Sequence, residues 1–135
     1  MKTILIPIDF TSTSSNALKI GATIAKRITA KIVLTHMAGI EEGLLPQETS
    51  FEKTLYHSKL AEKKYSELLK QPFLENIEVE PMLQKKLDFS GITDFAKEIE
   101  ASLIIMGSHG SSGLKEIFQG SNTEKVVRSS EIPVL

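Results

Sequence analysis

The chain has 135 residues, enough for one domain with a single core and too few for two ordinary ones. Its 16 basic side chains nearly cancel its 17 acidic ones, so there is no electrostatic footprint for nucleic acid or an anionic membrane. It has no cysteine, which excludes structural disulfides and thiolate metal sites and fits a reducing, cytoplasmic setting.

The opening MKTILIPIDF carries one lysine and a short apolar run that meets Pro7 and Asp9, too short for a signal peptide or a membrane span. Thr3 to Ile8 reads as a strand, and its near-continuous aliphatic run is that of a parallel strand buried on both faces. Pro7 offers no ladder donor, so regular pairing is expected to fail near the C-terminal end, where Asp9 sits. Thr11 to Asn16 is rich in helix N-caps, and Ala17, Leu18, Gly21, Ala22, Ile24, Ala25 and Ile28 recur at helical spacing, predicting a helix from about Ser14 to Thr29. Lys31 to Met37 is a second buried strand. Ala38 to Ser50, with two glycines and a proline, reads as a long excursion that could serve as a lid.

Thr49 and Glu52 offer a capping box for a helix to about Lys70. Ile77 to Leu83 contains Pro81 and reads as a strand nearer the sheet edge. A helix from Asp88 or Ser90 presents Ile92, Phe95, Ala96 and Ile99. An apolar run from Leu103 to Met106 then forms a strand that breaks at Gly107, with Gly110, Gly113, Gly120 and Ser121 beyond it. Ser121 and Glu124 make a second capping box, so a helix begins with its positive end facing that loop. Ile132 to Leu135 starts a fifth strand. Alternating strands and crossover helices predict an α/β fold, a five-stranded, mostly parallel sheet with helices on both faces, and bring Asp9, Met37 and Gly107 to one sheet edge.

Glycines after a strand let the backbone approach a ligand, and successive N–H groups there attract anions; tight turns need glycine too, and both readings are open. The phosphate-loop pattern and the nucleophile elbow are absent. Histidines 36, 57 and 109 lack metal-ligand company, and only Asp9 qualifies as a strand-end carboxylate, so a receiver-type magnesium cluster is not supported. Asp9 either caps the turn that follows it or accepts from a ribose hydroxyl. Ser121 can cap its own helix beside an anion, with Asn122 and Thr123 as further donors, whereas Glu124 in the same turn opposes a phosphate unless its side chain is tied elsewhere.

With these residues in hand, the whole chain resembles the universal stress protein family (UspA type) of the adenine-nucleotide α-hydrolase-like, Rossmann-like fold. The most specific likeness is the family's nucleotide pattern G-2x-G-9x-G-[ST], matched by Gly107, Gly110, Gly120 and Ser121. ILIPIDF resembles its first strand, LTHM its second and IIMGSHG its fourth. The resemblance implies ATP or a related adenine nucleotide at the strand ends. Pro7, Asp9 and Met37 would lie around adenine and ribose, and Gly107, His109, Gly110, Gly120, Ser121, Asn122 and Thr123 along the phosphates, with Met106 a further nucleotide-binding residue. Mg²⁺ or Mn²⁺ would be held mainly by phosphate oxygens. It further implies a stress-response regulatory role with little or no turnover, and a homodimer or tandem-domain pairing. Slow ATP hydrolysis and a nucleotide-free interaction module are the alternatives.

Three departures stand against the family pattern. Ser111 replaces the Lys or Arg that often follows the second glycine, which predicts weaker triphosphate binding. Lys86-Leu87-Asp88 replaces Gly-x-Pro, where Lys85 or Lys86 either supplies the missing charge or is simply solvated. The apolar run breaks off at Leu135, the expectation being one half of a tandem protein or a shortened chain.

Overall fold

The computed structural model describes residues 1–37, 51–87, 89–107 and 122–135. The strands are β1 (Lys2–Ile8), β2 (Ala30–Met37), β3 (Val79–Leu87) and β4 (Leu103–Ile104); the helices are α1 (Ser12–Ile28), α2 (Phe51–Leu69), α3 (Phe89–Glu98) and α4 (Asn122–Ser129), with a 3-10 turn at Pro72–Leu74. All pairings are parallel, in the order β3-β2-β1-β4. Alternation along the strands divides the core in two. Ile4, Ile6, Ile8, Ile32 and Leu34 join Leu18, Ala22 and Ala25 of α1 and Tyr65 of α2. Leu5, Val33 and Ile104 join Ile92, Phe95 and Ala96 of α3 and Val126 of α4. Each large aliphatic side chain so buried contributes about 1.5–3 kcal/mol, and the helices cover both faces as the sequence pattern predicts.

The first helix begins two residues earlier than its apolar spacing alone indicates, because Thr11 is its N-cap and accepts from the Ser14 N–H at 3.3 Å. Its buried positions, Ser14, Ala17, Leu18, Gly21, Ala22 and Ala25, recur at three and four residues, and Thr29 in the left-handed region ends it. A Cβ on Gly21 would collide with Ile6 Cδ1, so glycine there lets α1 lie close on β1.

Pro7 does not break β1 from β2, contrary to expectation: the register continues through Pro7↔Thr35 to Ile8↔His36. What it breaks is the other side. The Thr3 and Leu5 carbonyls accept from Ser102 and Ile105 N–H groups at 2.8 and 2.9 Å, so odd residues of β1 face β4. The next rung would run from residue 7 N–H to the Ile105 carbonyl, and proline has no N–H. The paired part of β4 therefore stops at Ile104, short of Met106.

β3 is the edge strand its proline announces. Ile32 N–H donates to the Glu78 carbonyl at 2.9 Å, so even residues of β3 face β2 and Pro81 turns its donorless nitrogen outward. The strand runs on to Leu87 because it bulges: Thr35 pairs with Met82 and His36 with Lys86. The five-stranded expectation is corrected to four among the described residues. In place of the fifth strand stands one parallel bridge, Ile104↔Val134, beside bonds from Ile104 N–H to Pro133 O and from Leu135 N–H to Ile104 O, each 2.9 Å. Met106 N–H continues the series to the Leu135 carbonyl at 3.0 Å, while Pro133, which contributes an acceptor and no donor, adds no bond on the preceding side.

Candidate functional site

β2 and β3 lie to one side of β1 and β4 to the other, so the strand order reverses between β1 and β4, the position at which open α/β sheets place ligands. The pairs Ile8↔His36 and Leu5↔Ile104 bring Asp9, Met37 and Gly107 to the same C-terminal edge. The missing Pro7 rung leaves β1 and β4 unpaired at the mouth of that crevice.

Asp9 serves the turn. Its Oδ1 accepts from the Thr11 N–H at 3.0 Å and from the Thr11 hydroxyl, while Oδ2 accepts nothing from the described residues. Thr11 in turn holds α1: its carbonyl accepts from Ser15 N–H at 3.0 Å and from the Ser14 hydroxyl at 3.1 Å. The capping reading of Asp9 thus holds for one oxygen, and the second has no partner among the described residues. Between them Phe10 adopts φ 62°, in the left-handed region unusual for an aromatic residue. Its ring lies 5.3 Å from His36 and 5.1 Å, edge-on, from Tyr65, with Lys64 Nζ 5.4 Å from its centroid. Nothing in the sequence pattern marks Phe10, because left-handed backbone at an aromatic residue has no compositional signal.

Gly107 joins three elements. A Cβ there would come within 2.6 Å of Thr13 Cγ2 and 3.1 Å of the Thr13 carbonyl carbon, so its glycine identity is explained by packing on the first turn of α1. Its carbonyl accepts from Thr123 Oγ1 at 2.8 Å, which draws the first turn of α4 to the same point. Two helix N-termini, with their partial positive charge, therefore meet beside the end of β4. α1 has no acidic residue in its first turn. α4 has Glu124, whose Oε1 is 2.6 Å from Arg128 Nη2 one turn along the helix. Thr13 lies in the Ser/Thr run that the sequence shows, but its place against Gly107 depends on tertiary packing.

Of the other expected residues, Met37 ends β2 and Asn122 opens α4. Met106 is buried in the core on the α3 and α4 face, which makes it a packing residue that also donates its N–H to the Leu135 carbonyl at 3.0 Å. His109, Gly110, Gly120 and Ser121 lie outside the described residues. Lys86 pairs with His36 across β2 from the crevice, and β3 is two strand spacings, about 10 Å, from β1. That backbone position is remote from Gly107. Two buried hydroxyls, Thr35 Oγ1 and Tyr65 OH, have no hydrogen-bond partner among the described residues, and burial pushes the Tyr65 pKa well above its usual value. Among the described residues there is no group of three or more His, Asp or Glu side chains able to hold a metal, and no helix long and apolar enough to cross a membrane.

The fold is shared with known proteins. The universal stress protein of Methanocaldococcus jannaschii designated MJ0531 is 30% identical over 99% of this chain and 80% of its own length. The solved structure of MJ0577 from the same organism superposes with a TM-score of 0.79 at 30% identity, covering 99% of this chain and 93% of that one. A universal stress protein of Archaeoglobus fulgidus in complex with dAMP shares the fold at 18% identity and a TM-score of 0.62, over 100% of this chain and 95% of that one. The profile of the universal stress protein family matches residues 1–135, and the chain belongs to that family.

Proposed function

We propose that the chain is a nucleotide-responsive regulatory protein of the stress response, taking ATP or a related adenine nucleotide in the crevice between β1 and β4. The observation that carries this reading is the meeting of two helix N-termini at Gly107, beside a seam that Pro7 keeps unpaired. Asp9 Oδ2 is available to a ribose hydroxyl, and the backbone at Pro7 and Met37 borders the base. The first turn of α1 and Thr123 would serve the phosphates, together with Gly110, Gly120 and Ser121 of the family pattern, His109 within it and Asn122 after it. These groups are neutral donors and helix ends, suited to phosphate oxygens. Mg²⁺ or Mn²⁺ would come in on the phosphates, since the described residues offer no carboxylate cluster to hold it. The dAMP complex of the A. fulgidus relative supports the adenine-nucleotide class.

Turnover is expected to be slight, because no described side chain at this edge has the partner and position of a base for water. A cytoplasmic location and pairing with a second copy or a tandem domain belong to the same proposal. The competing reading, a protein-interaction module whose glycine loop only turns the chain, is favoured by one observation: Gly107 has a sufficient packing reason to be glycine. Mass spectrometry of small molecules released from the purified protein, followed by calorimetric titration of Mg-ATP, AMP and cAMP into stripped protein, decides between them. Co-purified or saturably bound adenine nucleotide is the expected outcome. Silence in both measurements would leave the interaction module.

A further inference from the structure

On the face of the sheet covered by α1 and α2, a cleft of ≈ 300 Å³ opens between the first turn of α1 and the C-terminal half of α2. Its floor is apolar, formed by Ile8, Phe10 and Leu68. Its lining shares no residue with the strand-edge set of Pro7, Asp9, Met37 and Gly107. Thr13 packs on Gly107 toward β4, whereas Thr11, Ser14 and Ser15 line the cleft. The left-handed turn at Phe10 carries the aromatic ring to this side, against Tyr65 and under Lys64.

The polar groups of the cleft divide into those with hydrogen-bond partners in the fold and those without, Lys64 touching only the Phe10 ring. The hydroxyls of Thr11 and Ser14 are spent on Asp9 and on the Thr11 carbonyl. The Ser15 hydroxyl, the Lys64 ammonium, the Glu67 carboxylate and the Gln71 amide form no hydrogen bond or ion pair with the described residues. Lys64 and Glu67 stand one turn apart on α2 in the order basic then acidic, the less favourable orientation for pairing along a helix. They remain separate charges above one hydrophobic floor.

We infer that this cleft is a second binding site, for a small zwitterion of amino-acid size with an apolar body. A lone anion would meet Glu67 and a lone cation would meet Lys64. A ligand carrying both charges satisfies both, its carboxylate on Lys64 and the Ser15 hydroxyl and its ammonium on Glu67 and the Gln71 carbonyl. The apolar body then covers Phe10 and Leu68, the pattern of an apolar pocket with a few convergent polar groups. At ≈ 300 Å³ the cleft is at the lower end of the range of small-molecule sites, which suits a ligand of amino-acid size.

The test is an NMR titration of the nucleotide-free protein with L-leucine, with leucinamide, which lacks the carboxylate, and with 4-methylpentanoate, which lacks the ammonium. The expected result is saturable shifts at Phe10, Leu68 and the Tyr65 ring with L-leucine, and affinity lower by about tenfold for either single-charge analogue. Lys64→Gln and Glu67→Gln, both at exposed positions of α2, should each weaken L-leucine binding by about tenfold while the far-UV circular dichroism stays that of the folded protein. No saturable shift with L-leucine or L-phenylalanine, equal binding of the three compounds, or full affinity in both variants would each overturn the inference.

Discussion

The two flanks of β1 behave differently although one strand supplies both. Toward β2 it pairs at every residue from Lys2 to Ile8, while toward β4 only Ile4 and Leu5 are paired. The side chains on both faces are equally buried, Ile4, Leu5 and Ile6 each having no exposed surface. Packing therefore continues where the ladder stops, and the sparse flank is held by side chains more than by backbone bonds. A strand can thus open one seam for a ligand without giving up its core, provided that the residue lacking a donor has the right parity. At Pro7 it does.

The sharpest way to break this contrast is Leu5→Ala, on the face that packs toward α3 and α4. Truncation at so buried a site should cost about 2–5 kcal/mol, read from urea unfolding. Ile6→Ala, on the other face, should cost a comparable amount if both faces are equally well packed. A much smaller loss for Leu5→Ala would mean that the face toward α3 and α4 is the more weakly packed. Next in size is Gly107→Ala, whose Cβ would press on Thr13; overpacking of about 1–3 kcal/mol is expected, together with weaker nucleotide binding by calorimetry.

Smaller again is Thr123→Val, which keeps the shape and removes the bond to the Gly107 carbonyl. About 1 kcal/mol should be lost, again by urea unfolding. The smallest effect belongs to Pro7→Ala. A new N–H could complete the rung to Ile105, worth about 1 kcal/mol, while the loss of proline's restriction of the unfolded chain costs about 0.4–1 kcal/mol. Net stability should hardly move, but amide exchange at position 7 should be protected. A fast-exchanging amide there would show that something besides the missing donor keeps the seam apart.

The periodicity of apolar residues made the strands, the helical faces, the edge position of β3 and the common edge of Asp9, Met37 and Gly107 legible, because each follows from burial repeating along the chain. The rest depended on neighbours that a linear pattern does not reveal. Pro7 was visible as a break, yet which flank it breaks is set by hydrogen-bond parity, known only once the order β3-β2-β1-β4 is known. Gly107 was visible as a loop glycine, but its contact with Thr13 joins opposite ends of the chain. The bulge that carries Lys86 past Met82 left no mark beyond ordinary strand composition. At the site, the turn chemistry of Asp9 and Thr11 was readable, whereas the ring of Phe10 and the cleft it floors were not.

The same topology bears on the order in which the protein assembles. β1 and β2 are joined by a single helix, whereas β4 comes from the other end of the chain, and closing the longer loop costs more entropy before any contact repays it. The fully paired seam is thus expected to form early and the sparse one late. By the same token, the late seam should be among the first to open in the folded protein, and amide exchange at Leu5 and Ile105 should be faster than at Ile4 and Val33 on the other flank. A nucleotide bound across that seam would then act as a latch on the last step of folding, slowing its reversal more than it speeds its formation.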